Sequence, residues 1–82
     1  MQSLFAVKND SSIPCISVFL DEKRIFSDIL KGEMSKYAFL PCGSATLTIY
    51  NNYEKSVFDE WISIPPHKRL ILSVNDSFLK FI

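Results

Sequence analysis

The sequence predicts an all-β domain in which seven to eight short strands form two antiparallel sheets packed face to face. The first observation is a period of two, since apolar and polar side chains alternate over residues 15–20 and again over residues 44–49, as expected for half-buried strands. The second is that turn residues separate such segments about every ten residues. A strand with one apolar face needs a second sheet to cover that face, so the pattern favours a sandwich.

The elements follow from these signals in chain order. A strand around Phe5 and Val7 precedes a strand at residues 16–20, and the charged residues 21–24 form a solvated turn. Residues 25–26 are a brief strand, and residues 26–30 are compatible with one helical turn. After a break at residues 31–33, the predicted strands are residues 34–40, 44–50, 57–64, 70–74 and 78–82.

The turns are predicted from residues with special backbone preferences. Pro-Cys-Gly at residues 41–43 predicts a corner, because proline fixes its own φ and glycine accepts a positive φ. The prolines at residues 65–66 end the preceding strand, since neither can donate a hydrogen bond to a β-ladder. Asn-Asp-Ser occurs at residues 9–11 and 75–77 and matches the glycosylation sequon, but without a secretory signal it predicts Asx-type turns.

Alternation also assigns side chains to the core. On each strand one parity is predicted to face the opposite sheet, and burial of each large apolar side chain contributes roughly 1.5–3 kcal/mol. The predicted inward set is Phe5, Val7, Ile16, Val18, Leu20, Ile25, Tyr37, Phe39, Leu47, Ile49, Phe58, Ile62, Ile64, Leu70, Leu72 and Val74.

Composition limits the class of protein. The chain of 82 residues forms one predicted domain, residues 1–82, with 48% hydrophobic and 22% charged residues, which is far from the signature of disorder. Nine basic residues balance nine acidic ones, so nucleic acid is not an expected partner. We read no signal peptide and no apolar run near the roughly 20 residues of a membrane span, and we therefore expect a cytoplasmic protein without membrane insertion.

Three segments together resemble a known family. ISVFLDE (residues 16–22), LPCGSATLTI (residues 40–49) and VFDEWISIPP (residues 57–66) are similar to the strand and corner motifs of the bacterial domain-of-unknown-function family 4397, over nearly the whole chain. The chain departs from that pattern at Ser17, where an aspartate is usual, and at Glu22, where a turn glycine is usual. Residues 9–12 also replace an Ala-Ser-Pro-Asp-like turn. The resemblance implies an immunoglobulin-like or transthyretin-like sandwich, often found in repeated or surface-associated bacterial proteins, and supplies no catalytic residue.

The reactive residue types form no recognisable catalytic or metal-binding pattern. Cys15 and Cys42 would lie near opposite ends of paired antiparallel strands, beyond the roughly 7 Å Cα separation that a disulfide tolerates, so we expect two free thiols. Cys42 is interpreted as a turn residue. His67, the only histidine, is interpreted as a solvated turn residue beside two cations. We expect no enzyme activity, no cofactor and no metal site.

The most suggestive side chains are apolar ones that alternation points towards solvent. The candidate interface residues are Phe19, Tyr50, Val57, Trp61 and Ile71, with Ile71 expected beside Trp61 on the next strand. A surface tryptophan with apolar neighbours is typical of a protein interface. Two alternatives stay open: a loop or terminal strand covers Trp61, or a one-residue bulge turns it into the core.

These observations predict a non-enzymatic interaction or structural module. We expect it to form a homo-oligomer, most simply a dimer, or to bind another protein, through an outer sheet face or an edge strand. The alternative is a small domain that binds carbohydrate or another polar ligand, with Trp61 as a stacking platform beside Tyr50 or Tyr53.

Overall fold

The fold consists of strands joined by short loops. The computed structural model describes residues 2–82, and this part of the chain contains eight strands and no helix, hence none that could cross a membrane. The predicted all-β class is confirmed. The strands are β1 Gln2–Asn9, β2 Cys15–Leu20, β3 Lys23–Leu30, β4 Ala38–Pro41, β5 Gly43–Tyr50, β6 Ser56–Ile64, β7 Arg69–Val74 and β8 Leu79–Phe81.

The eight strands form two sheets that pack against each other, which confirms the predicted sandwich. The β1 sheet has the strand order β4-β1-β7-β8, and the β2 sheet has the order β3-β2-β5-β6. Five pairings are antiparallel, as predicted, whereas β1 and β7 pair in parallel. The second and third strands are neighbours in one sheet here but lie in different sheets in immunoglobulin constant domains. The order of the strands therefore differs from that of an immunoglobulin constant domain.

The corner at residues 41–43 carries the chain from one sheet to the other. β4 ends at Pro41 and β5 begins at Gly43, so that only Cys42 lies between the two strands. Gly43 has a φ of 127°, which residues with a Cβ atom rarely adopt. The predicted turn is confirmed, and Cys42 is its middle residue.

The tight turn between β2 and β3 places two carboxylates at one end of the β2 sheet. Asp21 has a φ of 49° and Glu22 a φ of 68°, as the two central residues of a type I′ hairpin turn require. The backbone N–H of Thr46 on β5 donates a hydrogen bond of 2.9 Å to Asp21 Oδ1. The charged turn predicted at residues 21–24 is therefore confirmed at its first two residues, since β3 begins at residue 23.

A buried asparagine holds the end of β1. Asn9 is 0% exposed, and its amide nitrogen donates to the backbone carbonyl oxygens of Ile13 at 3.0 Å and Ile29 at 3.1 Å. Its Oδ1 accepts hydrogen bonds from the backbone N–H of Ser11 at 3.1 Å and from the Ser11 hydroxyl at 2.6 Å. The bond from the Ser11 N–H closes the predicted Asx turn, and the bond to Ile29 ties the β1 sheet to β3 of the other sheet.

The core lies between the two sheets and contains most of the predicted inward side chains. Tyr37 and Phe39 are exceptions, because both are exposed. β4 pairs with β1 in a register that sets Leu40 opposite the buried Ser3, so the opposite parity of β4 faces inward. The buried cluster is Phe5, Val7, Ile16, Val18, Leu20, Ile29, Leu40, Ala45, Leu47, Ile49, Ile64, Leu72 and Val74.

Residues 26–30 belong to β3 rather than to a helical turn. The pairing of β2 with β3 shifts register twice, between Ile16 and Val18 and between Val18 and Phe19. Asp28 lies in the left-handed region, with a φ of 56°. Such irregularities interrupt the alternation of side chains, which explains why the sequence indicated only a brief strand at residues 25–26.

Candidate interaction faces

Four of the five predicted interface residues belong to one sheet. Phe19 lies on β2, Tyr50 ends β5, and Val57 and Trp61 lie on the edge strand β6. Because neighbouring strands are in register and alternate side chains share a face, these residues project from the side of the β2 sheet that is turned away from the core. We call this surface the β2 face.

Ile71 does not lie beside Trp61, and that part of the prediction is wrong. Ile71 is on β7, which pairs with β1 and β8, and its register partner is Ala6. The two strands β6 and β7 are consecutive in sequence but belong to different sheets, because the chain crosses the sandwich at residues 65–68. Ile71 is half-buried on the outer side of the β1 sheet.

Trp61 is 73% exposed. Within residues 2–82, neither a loop nor a terminal strand covers this side chain, so the first alternative is contradicted. The irregularity in the pairing of β5 with β6 lies between Ile49 and Tyr50, beyond the pair of Trp61 with Thr46, and it leaves the parity of Trp61 unchanged. The second alternative, in which a bulge turns Trp61 into the core, is contradicted as well.

A shallow groove crosses the β2 face beside the aromatic residues. Its volume is about 660 Å³. Phe19 and Tyr50 meet in its wall in an edge-to-face arrangement, with ring centroids 5.0 Å apart and an interplanar angle of 69°, which is a favourable aromatic geometry. The groove is lined by Phe19, Asp21, Glu22, Thr46, Thr48, Tyr50, Ser56 and Asp59.

The groove has an acidic lining. Asp21, Glu22 and Asp59 contribute carboxylates, and among residues 2–82 none of the three forms an ion pair. The guanidinium carbon of Arg24 lies 5.1 Å from the centroid of the Phe19 ring, where it makes a cation–π contact and offsets one of these charges. The β2 face therefore carries an excess of negative charge.

The opposite outer surface was missed by the sequence prediction. We call it the β1 face; its members on the β1 sheet include Leu4, Phe39, Arg69 and Ile71, and Tyr37 lies beside it, just before β4. The side chain of Phe39 is 69% exposed. The Arg69 guanidinium carbon lies 5.8 Å from the centroid of the Tyr37 ring. Assigning Tyr37 and Phe39 to the core removed both aromatic residues from the predicted surface.

The edge strands differ in how well they resist pairing with another chain. β4 ends in a proline, β8 has only three residues, and β3 has an irregular register, and each of these features protects an edge. β6 has nine residues, and its register with β5 is regular from Phe58 to Ile64. Trp61 therefore lies on the least protected edge of the sandwich.

The cysteines and the histidine lie away from the groove lining. Cys15 Sγ contacts Asp28 Oδ1 at 3.3 Å, and partial burial together with this carboxylate raises the pKa of the Cys15 thiol, which opposes formation of the reactive thiolate. Both Cys15 and Cys42 are half-buried free thiols. His67 is exposed in the turn before β7. Within residues 2–82, no three His, Cys, Asp or Glu side chains are grouped to hold a metal ion.

Two comparisons of the chain with known proteins found no match. No protein-family model matches the chain, and a search of the curated proteins finds no significant match. The resemblance to family 4397 therefore stays a prediction that rests on the motifs at residues 16–22, 40–49 and 57–66.

Proposed function

We propose that the protein is a non-enzymatic interaction module that self-associates, with the β2 face as one of its contact surfaces. The observation that carries the proposal is Trp61, a large aromatic side chain that is 73% exposed in the middle of a regular strand. Tryptophan and tyrosine are enriched among residues that dominate binding energy at protein interfaces. Val57, Tyr50 and Phe19 extend the same face.

The size of the molecule suits a weak or moderate self-association. The principal extents are 34 × 21 × 20 Å, so one whole face approaches the roughly 800 Å² per partner of a standard protein interface. Contact over one face would bury Trp61 and the groove together. The raised pKa of the Cys15 thiol and the separate position of His67 support a non-enzymatic role.

The substitution Trp61→Ala tests the proposal. We expect it to raise the dissociation constant for self-association by roughly 30-fold or more, because a tryptophan that anchors an interface contributes at least about 2 kcal/mol. Sedimentation equilibrium over a range of protein concentrations measures the effect. Tyr53→Ala is the matched control, because Tyr53 is 76% exposed but lies in the loop between β5 and β6, and we expect it to associate like the wild type.

Two results would contradict self-association through this face. One is a wild-type protein that stays monomeric at the highest attainable concentration. The other is a Trp61→Ala variant that associates as well as the wild type. Circular dichroism establishes that each variant keeps its strands, which we expect because both side chains are exposed.

The groove supports a second candidate function, the binding of a small polar ligand such as a carbohydrate. Its volume of about 660 Å³ falls within the usual range for ligand sites. Thr46, Thr48, Tyr50 and Ser56 supply hydroxyl groups, and Phe19 supplies an aromatic ring. This function requires a monomer whose Trp61 fluorescence changes saturably on titration with mono- and oligosaccharides, and an unchanged signal with all of them contradicts it.

A further inference from the structure

The two outer faces of the sandwich carry opposite charge although the whole chain has a formal net charge of zero. The β1 face presents Arg69 on β7, Lys8 on β1 and Lys80 on β8. Lys8 is paired with Asp10, with Nζ 3.5 Å from Oδ1, so Arg69 and Lys80 carry the remaining positive charge. The register of Lys80 with Ser73 and of Arg69 with Leu4 places these two cations on the outer side of the sheet.

The β2 face is the acidic counterpart. Asp21, Glu22 and Asp59 line its groove, and Arg24, which lies over the Phe19 ring, offsets only one of these three charges. If two β2 faces packed against each other, these carboxylates would be brought together in the contact. Like charges opposed in an interface repel each other, so contact between two β2 faces is disfavoured.

Shape and polarity also differ between the faces in a complementary way. The β2 face is hollowed by the groove of about 660 Å³, whereas the β1 face presents the Phe39 side chain, which is 69% exposed. Arg69 lies in the row of paired residues that also contains Phe39 and Leu4. An aromatic ring and a guanidinium on one surface match a groove with aromatic walls and a carboxylate lining on the other.

We propose that the contact is heterologous: the β1 face of one copy, through Phe39 and Arg69, packs into the acidic groove of the β2 face of the next copy. This inference rests on the proposed self-association and specifies the surface that meets Trp61. Each copy then offers one face of each kind, and a heterologous contact of this type generates rows or rings of copies rather than a closed pair with twofold symmetry.

Two variants that each disable one face test the inference. Phe39→Ala/Arg69→Glu disables the β1 face, and Trp61→Ala disables the β2 face; all three side chains are exposed, so both variants are expected to fold. Each variant alone is expected to have a dissociation constant at least about tenfold above that of the wild type. An equimolar mixture is expected to form a one-to-one dimer with an affinity within about threefold of the wild-type contact, because it retains one intact pair of faces.

The same measurements identify the results that overturn the inference. If Phe39→Ala/Arg69→Glu still forms dimers by itself while Trp61→Ala does not, the contact joins two β2 faces, so the inference fails and the proposed function survives. If the mixture stays as dissociated as its two components, the heterologous contact is wrong. A wild-type protein that never associates overturns both proposals. Sedimentation velocity resolves the one-to-one dimer from longer assemblies in all four samples.

Discussion

Replacement of Asn9 by alanine is expected to lower the free energy of unfolding by about 3–5 kcal/mol. The Asn9 side chain is completely buried, and its four hydrogen bonds satisfy the carbonyl groups of Ile13 and Ile29 and the backbone N–H and hydroxyl of Ser11. Each buried polar group left without a partner costs about 1–3 kcal/mol. A domain of this size has a total stability of about 4–12 kcal/mol, so the variant is expected to lose at least about a quarter of it.

Urea denaturation followed by circular dichroism measures this effect. Asn52→Ala is the control, because Asn52 is exposed in the turn after β5, and its substitution is expected to change the free energy by no more than about 0.5 kcal/mol. A loss below about 1 kcal/mol for Asn9→Ala would mean that water or local rearrangement replaces the side chain, and the bridge between the two sheets would then be unimportant for stability.

Replacement of Phe5 by alanine is expected to lower the free energy of unfolding by about 3–5 kcal/mol, the usual cost of removing a buried aromatic ring. Phe5 is fully buried, and its ring stacks on that of Phe26 from the opposite sheet, with centroids 6.2 Å apart and an interplanar angle of 19°. The loss combines transfer of the ring to water with the cavity that remains.

Phe39→Ala is the matched comparison for Phe5→Ala. The two phenylalanines are on the paired strands β1 and β4, but Phe39 points to the outside and is 69% exposed, so we expect a change within about 0.5 kcal/mol. Urea denaturation at low protein concentration keeps self-association from contributing. Equal losses at the two positions would contradict the register that places Leu40, rather than Phe39, in the core.

The regular part of the fold follows from the sequence because alternation and turn chemistry agree there. β5 and β6 were predicted within about one residue at each end, since the corner glycine, the loop at residues 51–55 and the prolines at residues 65–66 mark their limits. β3 was predicted only at residues 25–26. Its irregular register with β2 and the positive φ of Asp28 break the period of two on which the prediction depended.

The candidate surface was predictable only in part. The period of two put Phe19, Tyr50, Val57 and Trp61 on the outside, but it does not say which strands share a sheet. Ile71 was therefore predicted to lie beside Trp61, although the two residues belong to different sheets. Residues 34–40 were predicted as one strand with Tyr37 and Phe39 facing inward, but β4 contains only residues 38–41, and its register with β1 places Leu40 in the core instead. The β1 face consequently appeared only in the structure.

The parallel pairing of β1 with β7 has a consequence for synthesis on the ribosome. Leu4 pairs with Arg69 and Asn9 with Val74, so the β1 sheet closes only after nearly the whole chain has emerged. The strands of the β2 sheet all lie within residues 15–64, and they are available to pair earlier. Such long-range contacts form slowly. The inner apolar side of the newly formed β2 sheet therefore stays exposed until the β1 sheet has formed. During that interval we expect the growing polypeptide to be prone to aggregation through this exposed apolar surface.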